Sequence, residues 1–211
     1  MVQSVRTYDH SHTVELADVV DFINTRELED GALVDHLDSP ERALAWIAEK
    51  GLVHREEVAE IRSRFEAEPE LGTKFIGRVR RVRAGLREVA DAVYDRRAPD
   101  AGAIETINRA LRRREVVVLE PSSDGVAVGH RHEGDPIDDA LARLAEPVVK
   151  EIAGGRPERL RVCANDTCRW VFYDASPTGR RRWCDMASCG NRAKAARHRA
   201  RKRLGTATTQ A

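Results

Sequence analysis

The sequence predicts a mainly α-helical bundle with one β-hairpin, followed by a small four-cysteine module made of a β-hairpin plus a basic helix. Three observations carry this. Apolar residues recur at helical spacing through most of residues 14–153. Two β-rich runs flank a glycine-containing turn around Pro121 to Gly125. All four cysteines lie beyond that body, in two close pairs.

The elements follow in chain order. Leu16, Val19, Val20 and Ile23 form the i, i+3, i+4, i+7 stripe of an amphipathic helix. Ser39 before Pro40 starts a second: serine caps, and proline suits the first helical position. Leu44, Ile47 and Ala48 face inward on it, and Gly51 stops it. Val58, Ile61 and Phe65 mark a third helix, ending before Pro69. Phe75, Val79, Val82, Leu86, Val89 and Val93 alternate by four and three, predicting one long helix with a heptad-like seam. Gly77 and Gly85 each weaken it by about 1 kcal/mol relative to alanine. Ile104, Ile107 and Leu111 give a fifth helix. Val116 to Leu119 and Val126 to Val128 give the hairpin. Ile137, Ala140, Leu141 and Leu144 give a last helix, which Pro147 bends or ends.

Within this body no residues assemble into a catalytic constellation: there is no Gly-rich phosphate loop, no nucleophile elbow and no HExxH. Arg78, Arg80, Arg81, Arg83 and Arg87 are expected to form a solvated cationic face beside the seam. His130 and His132, two apart on a strand, share a face, but two histidines alone make a poor metal site.

Composition divides the chain. Arg156 to Arg203 holds 14 Lys/Arg against 4 Asp/Glu, a balance of +10, and the residues before it hold 22 against 31, a balance of −9. No apolar run approaches the roughly 20 residues needed to span a bilayer, and Met1 to His10 lacks the apolar core of a signal peptide. A cytoplasmic location is expected, where thiols stay reduced and cysteines favour metal over disulfides. Gly154 to Pro157 has linker composition. The expected division is a bundle over 1–153, a linker over 154–159, a metal module over 160–204 and a disordered tail over 205–211.

The cysteine pattern is Cys163-x4-Cys168-x15-Cys184-x4-Cys189. Two close pairs across a spacer suit a tetrahedral four-thiolate zinc site, each pair forming a tight turn. The alternatives are two disulfides or four buried thiols. Neither pair is the CxxC of redox sites, and four cysteines close the shell, so the zinc is structural, one per chain. Arg169 to Tyr173 and Arg180 to Trp183 are expected as strands around a turn from Asp174 to Gly179, with Trp170, Phe172 and Trp183 roofing the metal.

After Cys189, alanines alternate with cations as far as Arg203, giving high helix propensity and almost no apolar stripe. Arg192, Arg199 and Arg203 share one face with Ala196, and Lys194, Arg197 and Arg201 lie on adjacent ones; Lys202 adds to the same charge. A helix this cationic repels itself unless anions neutralise it, and phosphates supply them. The alternatives are a disordered tail or a patch that pairs with the acidic body. Membrane insertion is disfavoured, since the apolar face is missing.

Phe172-Tyr173-Asp174, Ser176, Arg181-Arg182-Trp183-Cys184 and Cys189-Gly190-Asn191-Arg192 with Lys194 closely resemble the CGNR zinc finger. Asp21-Phe22-Ile23-Asn24-Thr25 resembles the opening of the ABATE domain usually found ahead of it, a mostly helical bundle with a β-hairpin. The resemblance implies a bacterial, stress-linked transcription regulator. It implies zinc on Cys163, Cys168, Cys184 and Cys189, with Asn191, Arg192 and Lys194 opening a DNA-facing helix. Gly190 is expected to turn the backbone tightly and Asn191 to cap the helix or read adenine; Arg192 can grip phosphate or guanine. Arg181 and Arg182 suit phosphate contacts or pairing with Asp174.

The expected function is a zinc-dependent, DNA-binding transcription regulator of the bacterial nucleoid. Its N-terminal domain would sense a small-molecule effector or dimerise, and the seam of the long helix is the candidate homodimer interface. The competing readings are an RNA-binding or ribosome-associated zinc protein, with the module's aromatics stacking bases, and a zinc-held protein-interaction adaptor. An enzyme is disfavoured.

Overall fold

The computed structural model describes residues 14–112, 116–123, 125–131 and 135–208. Among them are seven helices and three two-stranded antiparallel sheets: α1 (Leu16–Asn24), β1 (Arg26–Glu29), β2 (Ala32–Asp35), α2 (Pro40–Glu49), α3 (Arg55–Ala67), α4 (Pro69–Asp95), α5 (Ala101–Leu111), β3 (Val116–Ser122), β4 (Gly125–Arg131), α6 (Pro136–Gly154), β5 (Leu160–Val162), β6 (Val171–Tyr173) and α7 (Asn191–Thr208). The mainly helical fold class holds.

Capping explains most helix starts. Ser39 Oγ accepts from the Arg42 amide ahead of α2, Asp100 from Gly102 and Ala103 ahead of α5, and Asp135 from Ile137 ahead of α6. Glu15 with Asp18 and His54 with Glu57 form reciprocal capping boxes at α1 and α3.

The long α4 is the axis of the fold. Phe75, Val79 and Leu86 are wholly buried, and Val82 and Val89 nearly so. Burial of each contributes about 1.5–3 kcal/mol. The seam therefore belongs to the intramolecular core, packed among α1, α2, α3, α5 and α6. This overturns its expected use as a homodimer interface, because a face already covered has no area left for a second chain. Gly85 has a packing reason: a Cβ there would lie 3.2 Å from Ile107 Cδ1, so its absence admits α5. Phe65 stacks on Phe75 with ring centres 5.2 Å apart, and Phe22 meets Trp46 at 5.4 Å.

Three further expectations change. The α4 arginines do not form one solvated face: Arg80 and Arg81 are exposed, but Arg78, Arg83 and Arg87 are engaged by carboxylates. Arg83 is buried and forks onto Asp35, Nη1 to Oδ1 at 2.7 Å and Nη2 to Oδ2 at 2.6 Å; Arg78 pairs with Asp138 on α6, and Arg87 with Asp91. Asp35 and Asp138 recruit Arg83 and Arg78 across the bundle, which charge counting along one helix cannot reveal, whereas Arg87–Asp91 is an i,i+4 pair within α4. Next, α6 does not end at Pro147 but runs on to Gly154. Finally, an additional hairpin, β1–β2, turns at Asp30 and Gly31, both with positive φ (49° and 85°), the geometry of a two-residue loop that suits Asp-Gly. The expected hairpin exists as β3–β4, in register from Val116↔Arg131 to Ser122↔Gly125. The side chains of the His130/His132 pair lie outside the described residues.

The last sheet ties the cysteine-bearing segment to the helical core. β5 pairs with β6, Leu160↔Tyr173 to Val162↔Val171, and Leu160, Val162 and Val171 are buried in the same core as the helices. The strand expected over Arg180 to Trp183 is absent from this pairing. That segment instead lies alongside, with the Ala164 amide donating to Arg182 O at 2.8 Å. β5 takes the pairing position because its alternate residues are apolar and can face α4, whereas three consecutive arginines cannot be buried.

Candidate metal centre and nucleic-acid interface

The four cysteines converge. Cys163 and Cys189 are buried, Cys168 and Cys184 half-buried, and their Sγ atoms all lie within 4.8 Å of one another. Cys168 Sγ is 3.7 Å from Cys184 Sγ, which is 3.8 Å from Cys189 Sγ. A disulfide needs about 2.05 Å. Four thiolates at about 2.3 Å from a tetrahedral zinc sit about 3.8 Å apart. The site fits one structural zinc and does not fit disulfides.

Each pair is shaped by a residue outside the pattern. In the first turn, Asn165 Oδ1 accepts from the Thr167 amide and hydroxyl, while Asn165 O accepts from the Cys168 and Arg169 amides. Asn165 Nδ2 also points at Cys189 Sγ, 3.4 Å away, which favours a thiolate. Arg169 closes the turn in the left-handed region at φ 58°. In the second turn, Asp185 accepts the Ser188 amide at 2.6 Å and caps a single wide turn, Met186–Gly190, that runs straight into α7. Burial pushes the Cys168 thiol up to about 11 and raises Cys184 as well. At Cys189, burial is outweighed by hydrogen bonds from Asn165 and the other thiols, and the group is held below its usual value. Four thiolates this close repel one another, and a bound dication would supply the attraction that offsets it.

Around the cluster, Phe172 and half-buried Trp183 pack on the cysteines. Trp170 does not roof the metal. It is 38% exposed and its indole N–H donates to Glu27 Oε2 on β1. Asp174 is fully buried and accepts amides from Ser176 (3.0 Å) and Arg181 (2.7 Å). Burial alone would raise its carboxyl; those donors outweigh it and hold it below the ordinary range.

The basic residues divide by engagement. Arg181 lies over Phe172 and donates to Cys184 O, so its guanidinium is spent inside the module. Arg182 is exposed beside the Trp183 ring. Arg192, Lys194, Arg197, Arg199 and Arg201 are exposed along α7, and among the described residues no carboxylate pairs with them. The expected alternative, a patch neutralised by the acidic body, therefore finds no support there. Lys202 and Arg203 continue α7, their side chains outside the described residues. Asn191 is not an N-cap: the helical path already runs through it from the preceding turn, and its amide donates back to Ala187 O at 3.0 Å. Gly190 is likewise helical; its service is space, because a Cβ would come within 2.7 Å of Met186 Sδ and 3.4 Å of Trp183.

The ABATE profile, described as a putative stress-induced transcription regulator, matches residues 17–155. The chain belongs to the ABATE family. The CGNR zinc finger profile matches residues 159–202, covering the four cysteines. No curated protein matches the chain. In ABATE terms, the opening motif at Asp21 to Thr25 acquires a physical role. Asn24 is buried and pairs twice with the edge of β6: its Nδ2 donates to Val171 O (2.8 Å), and the Val171 amide donates to its Oδ1 (2.9 Å). Thr25 Oγ1 donates to Phe22 O and accepts from Arg83 Nη1 at 2.9 Å. The resemblance marked these residues but not their role, because their partners lie up to 147 positions away.

Proposed function

We propose that this ABATE-family protein is a zinc-dependent transcription regulator that binds duplex DNA through its CGNR finger. It acts in the bacterial cytoplasm at the nucleoid, as a homodimer, with the bundle sensing a small-molecule effector. The observation that carries the reading is α7: a helix that leaves the metal turn with exposed arginines and a lysine on all sides and no acidic partner among the described residues. Phosphates are the counterions such a surface concentrates. The structural zinc fixes the angle at which that helix leaves the module. Regulation rather than catalysis accords with the family description.

One finger presents few base contacts, so useful specificity calls for paired half-sites and a dimer. Its interface lies elsewhere than the buried seam of α4. Among the described residues no helix is long and apolar enough to cross a membrane.

A fluorescence titration of zinc-loaded protein against duplex fragments tests the reading. Arg192→Ala weakens binding by about 1–3 kcal/mol; unchanged affinity refutes the role of α7. The RNA alternative rests on Trp170, the finger ring with a large exposed area. Quenching of Trp170 by single strands but not by duplex would reverse the ranking.

A further inference from the structure

A groove of about 740 Å³ opens where three elements of different origin meet: the β1–β2 hairpin, α4 and the first cysteine turn of the finger. Its size is that of a small-molecule site. Its charges do not cancel locally. The carboxylates on its walls are engaged: Asp35 by Arg83, Asp91 by Arg87, Glu88 by Arg97 and Glu27 by His36 and Trp170. Two cations on the same walls have no partner among the described residues, Arg26 on β1 and Arg169 beside the zinc ligand Cys168. The same walls carry apolar Leu28, Leu33 and Trp170, with Leu33 57% exposed and the Trp170 indole bonded to Glu27.

We propose that this groove binds a small organic oxyanion with an apolar body, its carboxylate or phosphate held by Arg26 and Arg169 and its body laid on Leu28, Leu33 and Trp170. This rests on the effector-sensing part of the function above and gives the effector its site and chemical class. Guanidinium groups fork onto such oxyanions, and paired cations from two modules make the contact conditional on their relative position. Arg169 follows Cys168 directly, and Val171, two residues on, is clasped by Asn24. A ligand on Arg169 therefore bears on the metal turn and on the seat of the finger against the bundle. Through the zinc it also bears on the direction of α7. The effector site and the DNA surface are then linked by one rigid path instead of a flexible hinge.

The test uses the full-length, zinc-loaded protein, with phenyl phosphate, benzoate, inorganic phosphate and neutral phenol as probes, read by tryptophan fluorescence and thermal shift. Saturable binding of phenyl phosphate or benzoate is expected, at least about tenfold tighter than inorganic phosphate or phenol, since each of these lacks half of the recognition. Which of the two aromatic anions binds more tightly distinguishes a phosphate ester from a carboxylate. Arg26→Ala and Arg169→Ala should each weaken binding about tenfold or more, and Arg169→Lys should recover part of it. Arg81→Ala, an exposed α4 arginine outside the groove, should leave it unchanged. Absence of saturable binding by every probe across the millimolar range overturns the proposal, as does binding indifferent to Arg26 and Arg169. So does loss of duplex affinity in Arg169→Ala without any anion present, which would make that arginine a DNA phosphate contact. Anion binding that meets these expectations while Arg192→Ala leaves duplex affinity intact would retain the groove and reject the DNA reading.

Discussion

The helical bundle and the zinc module are held by different materials. The bundle buries a continuous apolar core drawn from α1 through α6, with α4 at its centre. The module's own cluster is Cys163, Phe172 and Cys189, with Cys168, Trp183 and Cys184 packed at its edge, so most of its interior is the metal ligands themselves. Its two strands meanwhile lend Leu160, Val162 and Val171 to the bundle's core. A segment of this size cannot bury enough surface to offset its chain entropy, so metal and borrowed core do what side chains alone cannot.

The largest effect that would break this comparison is loss of the metal. Binding of structural zinc contributes about 10–16 kcal/mol in zinc-finger peptides. Chelation, or Cys163→Ser, should abolish hydrogen-exchange protection over the loops between the cysteines and the start of α7, while α1–α6 keep theirs and β5–β6 are lost last. Simultaneous loss across α1–α6 would mean that the two regions fold as one unit. In the opposite direction, Leu86→Ala in α4 should cost about 2–5 kcal/mol, seen as a lower Tm. Cobalt placed in the cysteine site should keep its thiolate absorption bands at temperatures where the mutant bundle is still folded. Disturbed bands would show that the finger depends on the bundle for its geometry.

Smaller changes sharpen the boundary itself. Asn24→Ala leaves the Val171 amide and carbonyl without their side-chain partners in a buried place, at a cost of about 1–3 kcal/mol. Faster exchange at Val171 with unaltered protection in α5 would locate the damage at the seat of the finger; uniform loss would argue that Asn24 is an ordinary core contact. The smallest effect is electrostatic and belongs to the bundle. At Asp35 burial, which raises the carboxyl, is outweighed by the Arg83 fork, and the group lies below its ordinary value. A depressed carboxyl stabilises the fold above its unfolded pKa and loses that contribution as pH falls through the folded one, so the decline should begin below about pH 4. Asp35→Asn should flatten that decline in acid-titrated thermal melts. An unchanged slope would assign it to other carboxylates.

The helices were legible because their apolar spacing, caps and stops agree: the stripe from Leu16 to Ile23, the Ser39-Pro40 start and the alternating seam from Phe75 to Val89 each predict what is observed. The zinc ligands were legible for a different reason, since two close cysteine pairs constrain distance directly. The β1–β2 hairpin was not anticipated, although Asp30-Gly31 is a hairpin dipeptide, because Arg26 to Glu29 and Ala32 to Asp35 lack the alternation that marks strands. Trp170 was placed over the metal on proximity in sequence; in space Glu27 holds it outward.

By itself, then, the sequence determined what depends on neighbours within a few turns: helix positions, the cysteine site, and the cationic character of the run through α7. The tertiary structure alone decided which faces meet. It buried Arg83 on Asp35 and the α4 seam within the chain, set β5 beside β6 in the bundle's core, and clasped Val171 with Asn24. It also brought Arg26 and Arg169 to the walls of one groove. The physical reason is range. Periodicity and propensity act over a helical turn, whereas pairing and burial reward contacts between residues far apart in the chain, and nothing local announces their partners.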